Sequence, residues 1–206
     1  MRNLTVTMNM SLDGVVQAPG RPDEDTRDGF DRGGWAVPYG DDVMAVKMGS
    51  GMASSGAMVF GRRTYLDFAG YWPHQTDNPF TPFLNAAHKY VVSNTLTEPL
   101  PWQNSTLLSG DAASSIAELK AQDGPDLASV GSAALVQSLF VASLIDQFVL
   151  LIHPLVLGKG RRLFDQRGES ADLELIDSVT TSTGVIIATY RSRSSQEHGS
   201  DRSSSV

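Results

Sequence analysis

The sequence predicts an α/β fold of three layers: a central, mostly parallel mixed sheet, helices on both faces, and a C-terminal antiparallel hairpin. Three observations carry this. Short apolar runs alternate with amphipathic segments as far as about residue 140; from Leu144 onward strand-like runs follow one another without a helix; and several early strands end in a glycine or a polar turn. A length of 206 residues with 41% hydrophobic content suits a single well-buried domain, read here as residues 1–193, with a polar, Ser-rich tail over 194–206 that has the composition of a disordered segment.

In chain order, Leu4, Val6, Met8 and Met10 alternate with polar neighbours and form a first strand ending at Ser11-Leu12-Asp13-Gly14, with Val15-Val16-Gln17 continuing it beyond the glycine. Residues 18–39 are rich in Gly, Pro, Asp and Arg, lack periodicity and read as a long functional loop anchored by Trp35. Asp41-Asp42 can cap a helix running to about Ala53. Ala57 to Phe60 is a second strand, and Gly61-Arg62-Arg63-Thr64-Tyr65 turns it into a helix. A short helix from Asn78 to Ala87 precedes a third strand, Lys89 to Ser93, and a fourth runs from Asn104 to Leu108. Asp111 to Ala121 is a helix with Ile116 and Leu119 inward. Leu127 to Val130 is a buried strand, and Gly131-Ser132 opens the next helix with Ser132 as its N-cap. Phe148 to Ile152 and Leu155 to Leu157 read as strands, as do Leu173 to Val179 and Val185 to Arg193, the last two forming a hairpin about Thr183-Gly184.

The net charge of −7 excludes a general nucleic-acid or anionic-membrane surface, since binding phosphates needs an excess of Lys and Arg. The absence of cysteine excludes thiolate metal sites, disulfides and cysteine nucleophiles, and the four histidines show no metal spacing. No stretch approaches a membrane span or a signal core, so the expected location is cytoplasmic, the expected partner a small-molecule substrate, and no metal is expected.

In sheets of this kind ligands bind beyond the C-terminal strand ends, and four patches fall there: Asp13-Gly14, Gly61 to Thr64, Ser93 to Thr95, and Gly131 to Leu135. Glycines let backbone approach a ligand, and helix N-termini present free N–H groups to an anion. Arg62 and Arg63 with Thr64 add charge-assisted donors, or else form a solvated pair on a helix. Neither a dinucleotide glycine fingerprint nor a P-loop is present; a phosphate site distributed over two loops remains.

With Met10-Ser11-Leu12-Asp13-Gly14, Gly61-Arg62-Arg63-Thr64-Tyr65, Val91 to Leu96, Gly131-Ser132-Ala133, and Pro154 to Gly160 with Leu163-Phe164 in this order, the chain resembles the dihydrofolate-reductase-like fold. Within it, the chain is similar to the C-terminal reductase domain of the riboflavin-biosynthesis deaminase/reductase, from about Leu4 to Arg191. The resemblance implies an NADPH-dependent oxidoreductase, commonly a homodimer, that transfers hydride to a small heterocyclic or carbonyl/imine substrate, as 5-amino-6-(5-phosphoribosylamino)uracil reductases do. It assigns the cofactor phosphates to Gly61, Arg62, Arg63 and Thr64, the adenosine end to Ser93, Asn94 and Thr95, and the pyrophosphate to Val130, Gly131, Ser132, Ala133, Ala134 and Leu135. Leu12, Gly14 and Val16 would line the nicotinamide, with Asp13 as the catalytic candidate; the other reading of Asp13 is a turn-forming Asp before glycine.

Trp35, Tyr65 and Trp72 are candidates for the substrate wall or for core, and Lys159, with Arg161 and Arg162, for a substrate phosphate clamp or a solvated basic turn. Asp41 and Asp42 sit where capping competes with a pterin-binding role, and past Lys47 the helix lacks a cation for a glutamate tail, which speaks against dihydrofolate as substrate. Gln147 stands where the family pattern expects an acid. No zinc deaminase signature lies in the chain, which is therefore read as a stand-alone reductase domain. The alternatives are a nucleotide-binding redox sensor without turnover and a flavin-binding reductase.

Overall fold

The computed structural model describes residues 1–54, 56–164 and 170–192. Eight strands form one sheet: β1 (Leu4–Ser11), β2 (Ala57–Gly61), β3 (His88–Val92), β4 (Ser105–Leu108), β5 (Leu127–Val130), β6 (Gln147–His153), β7 (Leu173–Thr180) and β8 (Ile186–Ser192). Their order across the sheet is β4-β3-β2-β5-β1-β6-β8-β7. The first six lie parallel where they pair; β8 runs antiparallel to both β6 and β7, which is the expected terminal hairpin. Five helices join them: α1 (Asp42–Ser54), α2 (Arg62–Tyr71), α3 (Thr81–Ala86), α4 (Ala112–Ala121) and α5 (Ala133–Val141).

Strand alternation assigns the helices to two faces. Leu4, Val6 and Met8 of β1 pack with Ile116 and Leu119 of α4 and with Leu135, Val136 and Leu139 of α5. On the other face Leu151 and Ile187 meet Met44 and Met48 of α1, while Met58 and Phe60 meet Tyr65 of α2 and Leu84 of α3. Strand β2 is buried on both faces, which is why Ala57 to Phe60 reads as an unbroken apolar run.

Several boundaries differ from the sequence expectation, each for a local reason. Leu155 to Leu157 is not a strand: Pro154 lacks the N–H a ladder needs, and the Leu157 N–H is taken by the Asp13 carboxylate. Val15 makes one isolated bridge to Arg162 instead of extending β1, because Gly14 turns the chain at φ +83°. Asn104 has φ +56°, so β4 begins one residue later. Asn78 takes the Phe80 N–H in a turn, and α3 starts only at Thr81 with Pro82 in its first turn. Asp111 does cap α4, and Asp41 accepts the Met44 N–H at the head of α1. The expected polar tail over 194–206 lies outside the described residues.

Candidate active site

At the C-terminal edge of the parallel strands lies an open cleft of about 1270 Å³. One wall is the junction of β2 with α2 and of β5 with α5. Gly61 donates its N–H to Ser132 Oγ at 2.9 Å, which ties the two junctions together. Both turns are tight: a Cβ on Gly61 would stand 3.2 Å from Ser132 Oγ, and one on Gly131, whose φ of +75° favours glycine, 3.3 Å from Thr64 Cγ2. Ser132 is itself left-handed, at φ +63°, and makes no capping bond; the N-cap role expected of it is absent because its hydroxyl serves Gly61 instead. Neither α2 nor α5 has a side-chain cap, so both present unsatisfied first-turn N–H groups at the same wall. Arg62 and Arg63 are exposed there and enter none of the ion pairs among the described residues.

The residues expected at this wall therefore stand together: Gly61, Arg62, Arg63, Thr64 and the run from Val130 to Leu135 all line the cleft, as do Val16 and Trp72. Others do not line it. The Ser93 hydroxyl accepts the N–H groups of Thr95 and Leu96, both at 3.1 Å, and the Asn94 amide is bonded to Gly110, so Ser93, Asn94 and Thr95 form a closed turn just past Val92, which does line it. Tyr65 is fully buried, accepting the Trp102 N–H at 3.0 Å and donating to Ser105 Oγ. Trp35 is core: its indole N–H donates to the Gln17 carbonyl at 2.7 Å, and it packs with Val15, Phe30 and Leu157.

Asp13, with Leu12 and Gly14, also stands away from the cleft lining. Its carboxylate accepts from the Leu157 N–H at 3.0 Å, the Gly158 N–H at 2.8 Å and the Ser11 hydroxyl at 2.7 Å, and Arg162 Nη2 lies 3.4 Å away. Burial alone would raise its pKa, but these donors outweigh it and bring the group down to about 2. At neutral pH it is an acceptor with its lone pairs engaged. The basic turn is engaged too: Lys159 donates to the Gly29 carbonyl, Arg161 pairs with Asp28, and Arg162 donates to the Asp13 carbonyl. Of these three only Arg161 lines the cleft.

The cleft is also lined by residues that sequence reasoning missed. The long loop is tied to α2 by Arg21, which pairs with Asp67 and lies 5.3 Å over the Tyr71 ring. No local pattern announces a contact 46 residues apart. Glu24 lines the cleft as well, and burial raises its carboxyl although the N–H groups of Gly20 and Arg21 donate to it. Thr7 and Asn9 of β1 line it too; their place on the polar face of an alternating strand was the available signal. Among the described residues no group of acids and histidines could hold a metal, and no helix is long and apolar enough to cross a membrane.

The fold has close relatives. The structure of a riboflavin biosynthesis protein from Shewanella sp. PV-4 is 24% identical and superposes with a TM-score of 0.65, covering 93% of this chain and 99% of that one. A pyrimidine reductase-like protein from Corynebacterium diphtheriae, at 12% identity, gives 0.61 with 94% and 92% covered. The deaminase/5-amino-6-(5-phosphoribosylamino)uracil reductase of Thermotoga maritima, at 13% identity, gives 0.62, and the match spans 57% of its length. At these identities the likeness is one of fold. An uncharacterized protein of Bacillus subtilis (strain 168), YyaP, is 29% identical over 138 residues, which are 65% of this chain and 72% of that protein. The sequence model of the RibD C-terminal domain, a reductase family, matches residues 2–187, and the chain belongs to that family.

Proposed function

We propose that the protein is an NADPH-dependent reductase that delivers hydride to a C=N or C=O carbon of a small heterocyclic substrate. The observation that carries this is the wall where two uncapped helix N-termini, and two arginines that enter no ion pair among the described residues, meet across the Gly61 to Ser132 bond. The residues fit a dinucleotide: the N–H groups of α2 and α5 suit a pyrophosphate, and the cradle at Gly131 is one that a Cβ would crowd. A cleft of about 1270 Å³ has room for a dinucleotide with a small second molecule.

When bound, NADPH supplies the hydride and leaves as NADP⁺. The chain's part is to hold and orient. Arg62 and Arg63 bind phosphate oxygens, Thr64 and the first turn of α5 fix the pyrophosphate, and Val16 with β1 forms the wall against the reacting rings. The proton that completes reduction at the substrate nitrogen or oxygen comes from water or from Glu24, whose carboxyl lines the cleft and is raised by burial. Asp13 at about 2 has none to give, and Asp25 and Asp67 are paired with arginines. Asp13 serves instead as the anchor of the loop at 155–163. Lys159 and Arg162 are likewise occupied within that loop, which speaks against their acting as a clamp for a substrate phosphate.

Calorimetric titration of NADPH and NADH into the wild-type protein and an Arg62→Ala, Arg63→Ala double variant tests the reading. The expected result is NADPH binding weakened in the variant by at least about tenfold, the scale of one charge-assisted bond. No heat from either nucleotide, or equal affinity in the variant, overturns it.

A further inference from the structure

The arginines that line the cleft fall into two groups. Arg62 and Arg63, at the start of α2, enter no ion pair among the described residues, whereas Arg21, Arg27 and Arg161 are each held by a carboxylate. Arg21 is engaged on every edge: its two Nη atoms meet the two oxygens of Asp67, its Nε lies 3.6 Å from Asp23 Oδ1, and its Cζ stands 5.3 Å over the Tyr71 ring. Arg27 meets both oxygens of Asp25, and Arg161 Nη2 lies 3.0 Å from Asp28 Oδ2.

Consecutive backbone N–H groups can also hold an anion, and the loop offers such a pair at Gly20 and Arg21. Both are taken by one oxygen of Glu24: Oε2 accepts from the Gly20 N–H at 2.7 Å and from the Arg21 N–H at 3.2 Å. A Cβ on Gly20 would stand 3.2 Å from that oxygen, so glycine leaves the carboxyl room to come in. Burial and the charge of Asp67 raise the Glu24 carboxyl, while the two N–H groups and the Arg21 guanidinium lower it. With both bonds made to Oε2, a proton on this group sits on Oε1, so the N–H pair is filled whether the carboxyl is ionised or not. An acid of the protein stands where a phosphate oxygen would bind.

We propose that the molecule sharing the cleft with the dinucleotide carries no phosphate, and that Glu24 is a specificity-determining residue: it fills the N–H pair at Gly20 and Arg21, while Asp67 withholds the Arg21 guanidinium. This rests on the reductase reading and narrows its substrate to an uncharged or amine-bearing small molecule. A phosphate monoester entering beside the loop would give up its water without gaining a donor, and would meet more carboxyls than arginines. The arginines left to bind an anion are the two at the wall assigned to the dinucleotide, so the available positive charge of the cleft lies with the cofactor.

Amide NMR of the nitrogen-15-labelled protein reads loop and wall separately. Inorganic phosphate and ribose 5-phosphate are titrated with and without saturating NADPH, following the N–H signals of Gly20 and Arg21 at the loop and of Thr64 and Ala133 at the wall. In wild type the wall signals are expected to move in the free protein and to stop responding once NADPH is bound; the loop signals should stay still in both states. In a Glu24→Ala, Asp67→Asn double variant the Gly20 and Arg21 signals should follow either phosphate with NADPH bound, at least about tenfold more tightly than in wild type, the scale of one charge-assisted bond. Asp67→Asn alone frees only the Arg21 guanidinium and should show a smaller gain; it serves if loss of Glu24 unfolds the loop.

The inference is overturned if the wild-type loop signals follow ribose 5-phosphate in the NADPH complex, or if neither variant gains a response. If NADPH does not bind, while the loop signals stay still in wild type and follow phosphate in the double variant, the cofactor reading falls and the exclusion at the loop stands.

Discussion

At the end of β1 the turn Ser11-Leu12-Asp13-Gly14 closes on itself: the Asp13 carboxylate accepts from Ser11, Leu157 and Gly158 and lies off the cleft. At the end of β2 the turn through Gly61 to Thr64 does the reverse. Its helix begins without a side-chain cap, its arginines enter no ion pair among the described residues, and every one of its residues lines the cleft. Both turns combine a glycine with polar residues at the C-terminal edge of the parallel strands. They differ in where the polar groups find partners: a turn whose donors and acceptors are satisfied within the protein holds structure, and one whose groups stay open can hold a ligand.

If that contrast is right, variants of the two turns separate stability from affinity. The largest effect is expected from Asp13→Ala, which leaves the amides of Leu157 and Gly158 without an acceptor and should cost about 2–4 kcal/mol in urea unfolding, the sum of several bonds to a charged group. NADPH affinity, measured well below the melting temperature, should stay within about threefold, a small fraction of one such bond. A normal melting temperature with lost NADPH binding would instead place Asp13 in the chemistry.

Next comes acid. His153 titrates near 4 in the fold against an ordinary 6.5, so between those values the unfolded chain binds the extra proton and stability falls as the pH drops. From pH 7 to pH 4 the loss should be on the order of 2 kcal/mol, and His153→Gln should lack that part of the slope. The contribution of Asp13, whose folded pKa is depressed, is present above the ordinary carboxylate range and disappears only as the pH falls toward about 2. Urea unfolding at stepped pH resolves the two windows.

Gly131→Ala should lower stability by about 1–2 kcal/mol through left-handed strain, and NADPH affinity by about fivefold to tenfold by displacing backbone from the phosphates. Ser132→Ala is the mildest. It removes the acceptor for the Gly61 N–H, and a loss of about 1 kcal/mol with a smaller change in affinity is expected in the same assays. If Gly131→Ala binds NADPH as wild type does, the cradle is architecture and the contrast between the turns fails.

Much of the fold was legible because it depends on local pattern. Alternation at Leu4, Val6 and Met8, the apolar run Ala57 to Phe60 and the Asp111 cap each report their own element. The cleft wall from Gly61 to Thr64 and from Val130 to Leu135 was legible for the same reason, as strand-to-helix junctions with glycine. Trp35 and Tyr65 were not, since an aromatic ring looks the same in sequence whether it lines a pocket or fills a core. Arg21 with Asp67, and Asn9 with His153, depend on partners 46 and 144 residues apart, and no window along the chain contains both members.

By itself, then, the sequence determined the order and type of the elements, the terminal hairpin and the family, because periodicity, glycine placement and capping act over a few residues. Tertiary structure alone decided which polar groups are consumed. Whether Asp13, Lys159 or Arg62 faces a ligand depends on whether a distant backbone amide, carbonyl or carboxylate has already taken its hydrogen bonds, and that is settled only when the loops at 155–163 and 18–39 close against β1 and α2.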